Sequence, residues 1–139
     1  MDRRRVNPNG SHRKSAATTT AAEARFLERL RVDAIVAQSW EAGGHRGVFM
    51  ASLDGQSAGT MSLVSQIRAV VKTPVIAAGG IMNGAGISAA LELGAAAAQM
   101  GTAFMLCPEA RTNPVHRRAI AEARDPVLMA SAMRKAVEA

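Results

Sequence analysis

The segment Leu63-Val64-Ser65-Gln66-Ile67-Arg68-Ala69-Val70-Val71-Lys72-Thr73-Pro74-Val75-Ile76-Ala77-Ala78-Gly79-Gly80 decides the fold class. Between residues 60 and 72, Leu63, Val64, Ile67, Val70 and Val71 recur among polar positions at helical spacing, which predicts an amphipathic helix. That helix stops at Thr73-Pro74, because a proline ring disfavours α backbone in the residue before it. Val75-Ile76-Ala77-Ala78 is then an unbroken apolar run, the pattern of a short strand buried on both faces, and Gly79-Gly80 punctuates its end. A helix leading directly into a buried strand is the building unit of a parallel sheet, whose strands need a crossover that a helix usually supplies.

The same unit recurs on both sides. Upstream, Thr20 with Glu23 three residues on forms a capping-box pattern, and Phe26, Leu27 and Leu30 predict a helix over residues 21–30. Ala34-Ile35-Val36-Ala37 predicts the strand that follows. Downstream, a helix over 84–93 ends at Gly94, which suits a left-handed residue after a helix, and 96–100 predicts another short strand. Asn113-Pro114 and Asp125-Pro126 each set a capping residue before a proline and predict two further helices, the last striped by Val127, Met129, Met133 and Val137. Alternating helices and strands at this spacing make the class α/β with parallel strands.

A chain of 139 residues with 48% hydrophobic content supports one globular domain. Aromatic residues are 3% of the total and tyrosine is absent, so the core must be built from Ala, Val, Ile, Leu and Met at close backbone approach. A formal charge of +6 and a pI near 11.0 raise a nucleic-acid or membrane-surface reading. The placement of the charge argues against both. Arg3, Arg4, Arg5, Arg13 and Lys14 gather near one end and Arg117, Arg118, Arg124, Arg134 and Lys135 near the other, as solvated tails with no aromatic residues between them to stack bases. No run is long and apolar enough to span a bilayer. Asn7-Pro8-Asn9-Gly10-Ser11 stands where a secretory signal would carry an apolar run, and the single Cys107 cannot form an internal disulfide, so the cytoplasm is the default compartment. Residues 1–17 read as a disordered or non-native leader and 18–139 as the domain.

Polar and glycine clusters follow each predicted strand at once. The first runs into Gln38-Ser39-Trp40-Glu41-Ala42-Gly43-Gly44-His45-Arg46-Gly47, the second into Gly79-Gly80 and the third into Gly101-Thr102. In a parallel sheet the carboxyl ends of the strands share one rim, where ligands bind in barrels and in doubly wound sheets alike. Glycines there expose backbone N–H groups and suit a phosphate. His45 lies in the glycine-rich loop rather than on an apolar face, and an imidazole with a reference pKa of about 6.5 suits a general base at neutral pH. Glu41 reads as a solvated loop carboxylate or a partner of Arg46, and His12 and His116 as surface residues. No histidine has metal-ligand spacing with a carboxylate or Cys107, so no metal is expected.

From Val32-Asp33-Ala34-Ile35-Val36-Ala37-Gln38 through Glu41-Ala42-Gly43-Gly44-His45-Arg46-Gly47, the chain resembles the nitronate monooxygenases. Pro74-Val75-Ile76-Ala77-Ala78-Gly79-Gly80-Ile81, Gln99-Met100-Gly101-Thr102-Ala103-Phe104 and Leu106-Cys107-Pro108-Glu109 continue the likeness in order, over residues 18–120. The resemblance implies the C-terminal half of a (β/α)8 TIM barrel that binds FMN and oxidises alkyl nitronates or nitroalkanes with O2 to a carbonyl compound and nitrite. His45 then corresponds to the base that deprotonates the neutral nitroalkane. Gln38, Gly43 and Gly44 correspond to positions along the flavin, and Gly79, Gly80, Gln99, Met100, Gly101 and Thr102 to those holding its ribityl chain and phosphate. Flavin-dependent enoyl-ACP reductases share the Glu-Ala-Gly-Gly-His and Ala-Gly-Gly-Ile segments, which makes such a reductase the alternative chemistry. A whole barrel takes typically ~250 residues, so a truncated form is expected. A half-barrel remnant without activity, forming a homo-oligomer over its open strand edges, is the non-enzymatic alternative.

Overall fold

The computed structural model describes residues 13–44, 46–49 and 58–122. Four parallel strands lie side by side in chain order: β1 (Ser15–Thr18), β2 (Ala34–Gln38), β3 (Val75–Ala78) and β4 (Ala97–Gln99). Helices α1 (Ala21–Arg29), α2 (Thr60–Arg68) and α3 (Gly84–Glu92) carry the three crossovers. A 3-10 turn over Thr102–Phe104 and helix α4 (Pro114–Glu122) follow β4. Strand, helix and next strand in unbroken succession, with neighbours in sequence also neighbours in the sheet, is the repeat of a (β/α) barrel, of which four units are present among the described residues.

The leader boundary drawn at residue 17 does not fit, because Ser15-Ala16-Ala17-Thr18 is a strand. Its small residues carry no periodic signal of their own; they become a strand by pairing with β2, Ser15 opposite Ala34 through Thr18 opposite Ala37. The carboxylate of Asp33 fixes the entry by accepting from Lys14 N at 2.7 Å. Residues 1–12 and the helix expected after Asp125-Pro126 lie outside the described residues.

The strands also differ from the expectation of burial on both faces. In β2, Ile35 and Ala37 are buried while Ala34, Val36 and Gln38 are half-buried. The buried face joins Ile35, Ala37, Val75 and Ala77 to Ala24 and Leu27 of α1, Leu63, Val64 and Ile67 of α2 and Ala90 of α3 in one core. Alanines at four of these ten positions let the helix backbones come close to the sheet, which is how a chain with so few aromatic residues fills its interior.

Helix boundaries have local causes. Thr20 Oγ1 accepts from Glu23 N at 3.2 Å and Asn83 Oδ1 from Gly86 N at 3.0 Å, capping α1 and α3. Gly94, at φ +93, closes α3 in the left-handed region. Helix α2 ends at Arg68, short of the residue 72 that its apolar pattern suggested. The Lys72 and Thr73 N–H groups are drawn instead to Glu28 Oε1 of α1, at 2.6 and 2.9 Å, and Thr73 Oγ1 joins them at 3.1 Å. Those donors, Thr73 N first and Lys72 N second, hold the Glu28 carboxyl below its ordinary value of 4.5. A carboxyl lowered by folding adds stability that is complete above its unfolded value and is lost as pH falls through the folded one. Replacing Glu28 by Gln is therefore expected to flatten the loss of stability below pH 4.5, read as urea midpoints at successive pH values. An acid limb of unchanged steepness would rule this role out.

Candidate functional site

Register sets the geometry of the carboxyl rim. Gln38 lies beside Ala78, and Ala78 beside Gln99, so three strands end at one level. From that line the chain turns into three loops that enclose a cleft of about 310 Å³. The β2 side contributes Gln38, Ala42, Gly43 and Gly44; the β3 side Ala78, Gly79, Gly80 and Ile81; the β4 side Gln99, Met100, Gly101, Thr102 and Met105. Gln38, Gly43, Gly44, Gly79, Gly80, Gln99, Met100, Gly101 and Thr102, singled out from sequence as cofactor residues, thus all line one cavity. Ala42, Ala78, Ile81 and Met105 line the cleft as well: the first three are ordinary apolar residues within the motifs, and Met105 is the C-cap of the 3-10 turn that follows β4.

His45 lies outside the described residues, whereas its neighbour Gly44 lines the cleft. The loop beyond it is tied at two points: Gly47 N donates to Gln38 Oε1 at 3.0 Å, and Phe49 N to Glu23 Oε1 at 2.9 Å. Glu23 was read only as a capping residue. It is fully buried, and its Oε2 accepts from Thr18 Oγ1 at 2.9 Å, Thr19 N at 2.9 Å and Thr19 Oγ1 at 3.2 Å. The carboxylate therefore joins the β1 loop to the segment after His45, a tertiary role that sequence spacing does not reveal.

Glu41 is neither a solvated carboxylate nor shown as a partner of Arg46. Its Oε2 accepts from Thr60 N at 2.7 Å, at the first residue of α2. The N-cap residue Gly59 has no side chain to bond the exposed N–H groups of that helix end, and an anionic group suits the positive end of the helix dipole. Ser39 and Thr60, both buried, complete the junction: their hydroxyl oxygens are 2.6 Å apart, and Thr60 Oγ1 donates to Gly79 O at 2.6 Å. Gly79 and Gly80 have φ of +116 and +63, backbone that a side chain would strain.

The loop after β4 is held from α4. Arg117, placed with the solvated tail by the sequence reading, instead donates through Nη1 to Leu106 O at 2.8 Å and through Nη2 to Cys107 O and Ala110 O at 3.1 and 3.0 Å. Five guanidinium donors in a rigid fork suit a turn whose carbonyls converge. Thr112 Oγ1 donates to Met105 O at 2.7 Å, which fixes the residue that reaches the cleft. Arg118 does face solvent, paired with Glu122 at 2.9 Å. His116, expected at the surface, is half-buried with Nε2 enclosed and without a hydrogen-bond partner. Among the described residues no group of three His, Cys, Asp or Glu could hold a metal ion, and no helix is long and apolar enough to cross a membrane.

Comparison with known proteins agrees with this arrangement. A family model described as nitronate monooxygenase matches residues 10–136. A nitronate monooxygenase of Pseudomonas aeruginosa is 55% identical over 102 residues, covering 73% of this chain and 29% of the relative. A probable nitronate monooxygenase of Bacillus subtilis is 43% identical over 107 residues, 77% of this chain and 31% of the relative. The chain thus spans about 30% of the length of the curated relatives it matches. Among solved structures, a nitroalkane oxidase from Streptomyces ansochromogenes superposes with a TM-score of 0.72 at 46% identity, over 76% of this chain and 31% of that one. FabK from Thermotoga maritima gives 0.70 at 37% identity, over 87% and 36% respectively.

Proposed function

Because the chain belongs to the nitronate monooxygenase family, we propose that its rim cleft binds FMN and that it serves the oxidation of alkyl nitronates by O2 to a carbonyl compound and nitrite. The observation that carries this reading is the convergence of the β2, β3 and β4 loops on one cavity, with glycines contributed from all three sides: Gly43 and Gly44, Gly79 and Gly80, and Gly101. Such walls fit the group. Small-molecule sites enclose about 300–1,000 Å³, and a cleft of about 310 Å³ suits the phosphate and ribityl end of a flavin mononucleotide. Glycines let backbone N–H groups approach phosphate oxygens without a Cβ between.

Gly79, Gly80, Gln99, Met100, Gly101 and Thr102 would hold the phosphate and ribityl chain. Gln38, Gly43 and Gly44, on the β2 side of the same cleft, would lie along the flavin. FMN, when bound, supplies the electron-accepting ring system. The protein supplies orientation and the proton transfer: His45, one residue beyond the cleft-lining Gly44, takes the proton from the carbon beside the nitro group of a neutral nitroalkane.

Purified protein incubated with FMN is expected to turn yellow, retain the flavin through gel filtration and consume O2 when given a nitronate, with nitrite as product. Protein that stays colourless overturns the reading. Flavin that binds but is bleached by NADH or NADPH, with no O2 uptake on nitronate, replaces it with reduction of an enoyl thioester, the chemistry of the alternative family with the shared motifs.

A further inference from the structure

We propose that Ser39 and Thr60 are positioning residues for the phosphate end of the ligand, acting through the peptide between Gly79 and Gly80; this rests on the flavin reading above. Thr60 Oγ1 gives its one hydrogen to Gly79 O at 2.6 Å, so toward Ser39 it can only accept, and Ser39 Oγ, 2.6 Å away, must be the donor. Glu41 N in turn donates to Ser39 Oγ at 3.1 Å. The bonds run in one direction from the β2 loop, through the start of α2, to the β3 loop, and bonds in such a chain polarise one another. Ser39 and Thr60 are 1% and 2% exposed, so water does not stand in for either hydroxyl.

The last acceptor in the chain gives it a function. In a trans peptide the C=O and the following N–H point to opposite sides of the chain, and no peptide described is cis. With the Gly79 carbonyl turned onto Thr60, the Gly80 N–H points to the opposite side of the chain, and both glycines line the cleft. The hydroxyl pair thereby aims a backbone donor at the ligand anion. A Cβ built on Gly79 would lie 2.4 Å from Ser39 Oγ, so the serine occupies the space that any side chain there would need. Neither hydroxyl contributes to the lining of the cleft, and each acts through the peptide it holds.

The test compares FMN with riboflavin, which lacks the phosphate, titrated by flavin fluorescence into the whole chain and into Thr60→Val, Thr60→Ser and Ser39→Ala. Circular dichroism and urea midpoints establish that each is folded. Thr60→Val is expected to weaken FMN about tenfold, the size of one hydrogen bond, while riboflavin affinity stays the same. Thr60→Ser is expected to restore FMN binding, and Ser39→Ala to give a smaller loss with the same preference. Equal losses for both flavins, or undiminished FMN binding by folded Thr60→Val, would overturn the positioning role alone. Should Thr60→Val not fold, Ser39→Ala carries the same comparison. A wild-type chain that binds neither flavin overturns both this inference and the flavin reading.

Discussion

Replacement of Glu23 by alanine is expected to destabilise the fold by about 2–4 kcal/mol, because it strips partners from buried donors rather than removing a surface charge. The carboxylate is fully buried and accepts from Thr18 Oγ1, Thr19 N, Thr19 Oγ1 and Phe49 N. Thr18, also fully buried, keeps an alternative acceptor in Thr20 O at 3.0 Å, whereas Phe49 N loses its bond across 26 residues of chain. Equilibrium urea unfolding measures the loss. Hydrogen exchange at the Phe49 amide locates it, since that amide should become the fastest responder. A Gln variant keeps one acceptor oxygen and should fall between wild type and alanine. A change within about 0.5 kcal/mol, the usual range for surface substitutions, would show that the carboxylate does not hold the β1 loop to the segment after His45.

The second large effect concerns chemistry. On the proposed flavin-loaded protein, His45→Ala is expected to lower turnover of a neutral nitroalkane by about 10²–10⁴-fold, the range for losing a general acid or base. Oxidation of a nitronate added in its anionic form should change little, because its proton has already gone. Parallel O2-uptake measurements with the two forms of one substrate separate proton transfer from binding. The activity on the neutral form should rise with pH as an imidazole of reference pKa about 6.5 loses its proton, and that rise should vanish in the variant. If both forms lose activity together, His45 serves binding or folding rather than proton abstraction.

Much of the fold was legible because its signals are local. Val75-Ile76-Ala77-Ala78, bounded by Pro74 and Gly79, is the strand as predicted, and Thr20 is the cap that its spacing from Glu23 indicated. Ser15–Thr18 was not legible, since four small residues become a strand only when β2 offers a partner. The end of α2 was misplaced because Glu28, 44 residues from Lys72, sets it. The cleft residues could be grouped for a positional reason: parallel strands bring the sequences that follow them to one rim. Roles that act across loops, those of Glu23, Glu41 and Arg117, left no trace in spacing. A carboxylate or a guanidinium in a polar stretch looks the same whether it meets solvent or a backbone group far along the chain.

The cap that Glu41 places on α2 frees a hydroxyl. In an isolated peptide covering this helix, Thr60 would be the first side chain able to satisfy the open amide groups, and its oxygen would turn inward to do so. Here a carboxylate 19 residues earlier bonds the Thr60 amide, and the threonine oxygen is left to reach a neighbouring loop. A charge borrowed from one turn of the chain thus lets the next turn address a third, and the start of the helix is a property of the assembled rim rather than of its own residues.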